Sequence, residues 1–162
     1  MKFMLLKKSL FFSIVALLVF CSSPSLIARS LSDSDDIKEK DVPVAVVKSV
    51  KDKFNNIYIY DWEWSKKDNY YRAKFVYKGD EFKVYLTPAG DVYKTDKKTQ
   101  FAALPQIIQN SFKHTEYASW FTREVRQITD KGITIYEIKV KNDKKRKLRF
   151  DASGTLLENK KD

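Results

Sequence analysis

The sequence predicts an α+β protein of two tandem helix-plus-antiparallel-hairpin repeats, with the helices packed on one face of an antiparallel sheet. Three observations predict this. A Pro-started amphipathic helical pattern occurs twice, each is followed by short alternating strand patterns, and every glycine falls in a turn between them.

The chain opens with Lys2, Lys7 and Lys8, an apolar run from Leu10 to Phe20 broken only by Ser13, and then small residues. This is the layout of a secretory signal, with cleavage expected after Ala28 and a cut after Ser25 as the alternative. The run is shorter than the roughly 20 residues that span a bilayer, so no transmembrane segment is expected after removal. Cys21 in that segment raises lipidation, which the bulky Phe20 before it disfavours. The exported chain then has no cysteine, which excludes disulfides and thiol chemistry. Its charge is +7, because residues 1–28 take three lysines and no acid from a total of +10. A basic balance favours acidic partners or anionic surfaces through long-range attraction. The expected localisation is periplasmic or secreted.

Residues 29–40 are polar and lack aromatics, so a flexible linker is expected. Asp33, Asp35 and Asp36 have neither the turn glycine nor the closing glutamate of a calcium loop. The first repeat is placed at 41–98. Asp41 is its expected helix cap and Pro43 lies in the first turn, with Val46, Val50 and Phe54 on the apolar stripe. The second repeat, 99–162, starts with Leu104-Pro105 and continues through Ile108 and Phe112. Pro43 and Pro105 stand 62 residues apart, as do Val46 and Ile108.

Strands are expected over 57–64, 70–77, 81–86 and 92–94 in the first repeat, and over 120–128, 133–141, 145–150 and 155–158 in the second. The turns between them hold Gly79, Gly90, Gly132 and Gly154, which leaves no glycine for a phosphate-cradling loop. Period-two alternation puts Tyr71, Ala73, Phe75, Tyr77, Phe82, Val84 and Leu86 on one side, joined in the second repeat by Tyr136, Ile138, Val140, Leu148 and Phe150. The other side carries Arg72, Lys74, Lys83 and Tyr85, then Ile135, Glu137, Lys139, Lys141, Lys147 and Arg149, and is expected to be open and cationic. The first strand is apolar on both sides. Tyr58, Tyr60, Trp62 and Trp64 are its expected inward set unless a bulge changes the parity, and Trp62 and Trp64 also suit an interface.

No catalytic constellation emerges. His114 is the single histidine and no nucleophile elbow accompanies it, so catalytic, cofactor and metal sites are all expected to be absent. Basic residues interleaved with aromatics also fit single-stranded nucleic acid, a partner that an exported chain seldom meets.

Val42-Pro43 and Leu104-Pro105, the Asp61-Trp62-Glu63 strand, and the glycine turns at 86–92 and 150–156 together resemble the small exported bacterial PepSY-like proteins, which are also similar to the β-lactamase inhibitor protein. The resemblance spans about residues 41–162. It implies one sheet whose concave side meets a partner protein, and a role in restraining a hydrolase or peptidase. Unlike the namesake, this chain has no cysteine pairs. The expectation is an exported non-enzymatic binding protein whose open face meets an envelope hydrolase. A cationic binder of acidic envelope polymer or membrane surface is the alternative.

Overall fold

The structure is a computed structural model and describes residues 35–162. The expected signal, Cys21 and Asp33 lie outside these residues. Nine strands form one antiparallel sheet in sequential order: β1 (Asp35–Ile37), β2 (Ile59–Ser65), β3 (Tyr70–Tyr77), β4 (Asp80–Leu86), β5 (Val92–Thr99), β6 (Phe121–Asp130), β7 (Ile133–Lys141), β8 (Lys145–Asp151) and β9 (Leu156–Lys161). Helix α1 (Val44–Lys53) lies between β1 and β2 in the chain, and α2 (Gln106–Lys113) between β5 and β6.

Local chemistry explains the turns. Lys78-Gly79 and Lys131-Gly132 have positive φ at both positions, the conformation that lets a two-residue hairpin follow the twist of its strands. Gly90 and Gly154 have a second constraint. Each turns the chain against a helix, Gly90 beside Ala45 and Ser49 of α1, Gly154 beside Ile107 and Ser111 of α2. A side chain at either position would collide with the helix.

Two apolar clusters hold the fold. Val46, Val50 and Phe54 meet Ile59, Trp62, Ala73, Phe75, Val84 and Leu86 in the first. In the second, Ile108 and Phe112 meet Val125, Tyr136, Ile138, Val140, Leu148 and Phe150. The alternation expected for β3, β4, β7 and β8 therefore describes the cores.

Several expectations need correction. Residues Asp35–Ile37 of the expected flexible linker pair with Trp64, Glu63 and Trp62 of β2 as an edge strand. The polar composition hid this, since three residues are too few to show a period. Asp41 does not cap α1: it ends a 3-10 turn over Glu39–Asp41, and Pro43 stands at the cap position, as Pro105 does for α2. The inward set of β2 changes midway, because a bulge between Ile59 and Asp61 shifts the register. Ile59 and Trp62 are buried, whereas Tyr58 is 80% exposed and Tyr60 is exposed too. Finally, β5 runs on to Thr99, well beyond Lys94, because Lys97 and Lys98 are held in the ladder by pairing on both sides.

Candidate interaction surface

Residues directly opposite in an antiparallel ladder share a face, so the register defines the surface turned away from the two cores. One row across it reads Glu63, Arg72, Tyr85 and Lys94, and the next Asp61, Lys74, Lys83 and Asp96. Farther along come Arg126, Glu137, Arg149 and Glu158, then Glu124, Lys139, Lys147 and Lys160. All the cations expected on this face are there.

They are not an open cationic field, and this corrects the charge expectation. Glu63 is buried and pairs with both Arg72 and Lys74, and Lys74 also reaches Asp61 at 2.6 Å. The Arg126 Nε donates to Asp96 at 2.7 Å. The Arg149 Nε donates to Glu137 at 2.8 Å and its Nη1 to Glu158 at 3.3 Å, while Lys139 lies 3.0 Å from Glu124. Reading the strands separately showed the lysines; pairing the strands shows a carboxylate beside most of them.

The electrostatics follow from this crowding. Burial, together with Arg126, Arg72 and Lys74 nearby, pulls the Lys83 amine below its usual range despite Asp96. Burial also works against the Glu124 carboxylate, but the Lys139 hydrogen bond and the charges of Lys139, Arg126 and Lys98 hold its pKa below the usual value.

At one end of the face the charges give way to tyrosines. Tyr70 and Tyr85 are edge-on with ring centroids 5.3 Å apart, and Tyr93 lies 6.4 Å from each. Arg72 sits 5.7 Å and Lys94 4.9 Å from the centre of the Tyr85 ring, within cation–π range. Burial, with Tyr70, Tyr85 and Asp130 adding to it, pushes the Tyr93 phenol up to about 12. All three rings are partly exposed. Tyr85 was legible from alternation. Tyr70 shares its parity with Arg72 and was overlooked, whereas Tyr93 is the extra residue of a bulge opposite Tyr85 and Leu86, which no alternation pattern locates.

The tryptophans lie elsewhere. Trp62 is 3% exposed in the first core, so it is not available at the surface, and Trp64 packs against Tyr71 with centroids 4.4 Å apart. Their parity with Ala73 and Tyr71 puts both on the core side. Asp36, Asp61 and Glu63 bring carboxylates within 4.8 Å of one another, and two of the three are already ion-paired, Glu63 with Arg72 and Lys74, and Asp61 with Lys74. His114 is exposed at the end of α2, with Nδ1 2.7 Å from the Asn110 carbonyl oxygen.

Comparison with solved structures supports the fold. A DUF2874 family protein from Bacteroides ovatus is 27% identical, with a TM-score of 0.61 over 74% of this chain and 86% of that one. A BLIP-like protein from Bacteroides fragilis is 23% identical, with a TM-score of 0.61 over 72% and 84%. A protein from Bacteroides eggerthii, described as "putative periplasmic", is 21% identical, with a TM-score of 0.64 over 74% and 88%. No curated protein matches the sequence. The profile of the family described as "Putative beta-lactamase-inhibitor-like, PepSY-like" matches residues 69–158, more than half of the chain. The chain belongs to this PepSY-like, β-lactamase-inhibitor-like family.

Proposed function

We propose that this protein is an exported, non-enzymatic binding protein that occludes a partner protein, a hydrolase or peptidase of the envelope, with the sheet face turned away from its cores. One observation carries the reading: a cluster of partly exposed tyrosines on a face whose charges are already matched within the molecule. Tyrosines with an arginine among them are typical anchors of protein interfaces. Internally paired cations have little attraction left for a simple polyanion, so specificity here comes from shape and aromatic contact. Lys139, Lys147 and Arg149 form the charged flank of this surface.

The architecture supports the reading. Each apolar cluster joins one helix to buried residues of three strands, β2–β4 in one and β6–β8 in the other, and the two glycine turns meet equivalent helix positions: Ala45 and Ser49 in one, Ile107 and Ser111 in the other, 62 residues on. Two copies of one helix-and-hairpins unit, helices on a common side, leave the opposite side free for a partner. Export rests on the signal-like N-terminus. Among the described residues no helix is long and apolar enough to cross a membrane.

The test is capture from native envelope extract at low and then high salt, with the wild-type chain and with Tyr85→Ala/Tyr93→Ala. A hydrolase held by the wild type at high salt, lost from the variant and inhibited in the complex, supports the reading. Equal retention by both proteins refutes the tyrosine face.

A further inference from the structure

We propose that the hairpin corner formed by the ends of β7, β8 and β9, with Phe121 at the start of β6, docks on a bilayer rich in anionic lipid. This corner differs from the rest of the sheet. Lys141 is directly opposite Lys145, and Arg146 directly opposite Lys161. Like charges facing each other across a ladder are destabilising. Elsewhere on the sheet a carboxylate relieves such neighbours: Lys139 has Glu124, and Lys147 and Lys160 have Glu158. Among the described residues, the side chains of Lys141, Lys144, Lys145, Arg146 and Lys161 have no ion-pair partner. The turn contributes one acid, Asp143, and Asp162 is engaged by Arg123 at 2.8 Å. A repulsive cluster with more cations than acids beside it is stabilised when an external anion supplies the missing counter-charge.

Two features favour a membrane over a soluble chain polymer. First, the cations surround the end of the sheet: Lys141 and Lys145 share the parity of Lys139 on the open face, while Arg146, paired with Val140, shares the parity of the core side. Such a tip meets a plane end-on rather than tracking a strand. Second, Phe121 lies directly opposite Lys141 and is 72% exposed. An exposed aromatic in a row with two lysines suits the lipid interface, where the ring enters the acyl boundary and the ammonium groups remain at the headgroups. Four cations, Lys144, Lys145, Arg146 and Lys161, and two acids, Asp143 and Asp162, line a depression of about 650 Å³, where the cations outnumber the acids and would meet headgroup phosphates.

The site is separate from the tyrosine cluster and does not depend on the partner-protein reading. The test uses protein recovered from cells expressing the full chain, sedimented with vesicles of phosphatidylcholine alone or mixed with phosphatidylglycerol. Binding to the mixed vesicles only is expected, weakening by about fivefold for each corner cation removed, so that Lys141→Gln/Lys145→Gln/Lys161→Gln binds roughly a hundredfold less tightly at low salt. Phe121→Ser removes the part that persists at high salt. The exposed control set Lys40→Gln/Lys66→Gln/Lys113→Gln loses no more than a few-fold, and Tyr85→Ala/Tyr93→Ala binds like the wild type. Equal binding to neutral vesicles, an equal loss in the control set, or binding to soluble polygalacturonate with none to either vesicle overturns the proposal.

Discussion

Substituting alanine for each turn glycine in turn separates backbone strain from helix packing. All four glycines have φ between +84° and +96°, so every replacement incurs the left-handed penalty of about 1–2 kcal/mol. The surroundings differ. A Cβ at Gly79 or Gly132 meets nothing within 4 Å, so strain is the whole cost there. A Cβ at Gly90 would lie 2.9 Å from the Ala45 carbonyl oxygen, a backbone atom of α1 that moves only with the helix. Overpacking of that kind adds about 1–3 kcal/mol. At Gly154 the clash is with the Ser111 hydroxyl, which rotates away, and with Ile107 Cγ1 at 3.1 Å. The expected order of destabilisation is Gly90→Ala, then Gly154→Ala, then Gly79→Ala and Gly132→Ala together. Urea unfolding followed by tryptophan fluorescence measures it, and each kcal/mol corresponds to roughly 3–5 °C in Tm. A second substitution sharpens the test: Ser111→Ala restores much of the loss in Gly154→Ala, whereas Ser49→Ala restores little in Gly90→Ala because the carbonyl remains. Equal losses at Gly79 and Gly90 would refute the helix contact.

Other consequences follow from burial and charge. Phe150→Ala is expected to cost about 3–5 kcal/mol because that ring is fully buried, while Val76→Ala, at an exposed position, changes stability by less than about 0.5 kcal/mol in the same urea titration. Glu137→Gln leaves Arg149 with Glu158 alone; with the arginine partly solvated, a loss of about 1–3 kcal/mol is expected by denaturant unfolding. Glu124 has a folded-state pKa below its unfolded value, so its contribution is complete above the unfolded pKa and is lost as pH falls through the folded one. Stability measured down through the acid range should therefore fall less steeply in Glu124→Gln. For Tyr93 the sign reverses: its phenol is raised from 10.0 to about 12, so stability present below pH 10 is lost as pH rises toward 12, and Tyr93→Phe reduces that alkaline loss.

Alternation and helical spacing depend on neighbours within one segment, and those were legible. Val46, Val50, Ala73, Phe75, Ile138, Val140, Leu148 and Phe150 are all in the two cores, as their periods imply. The proline starts and glycine turns were legible for the same reason, since φ restrictions act on single residues. What a strand is paired with depends on register, and no single strand encodes it. That is why Lys74 and Arg149 read as free cations until Glu63 and Glu137 came to lie beside them. Bulges hid Tyr93 and exposed Tyr60, because one inserted residue reverses every face after it. The sequence by itself determined the two helices and strands β2 to β9, the buried sides of β3, β4, β7 and β8, and the net positive charge. Only the tertiary structure decided where that charge stays uncompensated, because ion pairing depends on separations of a few ångströms between segments distant in the chain.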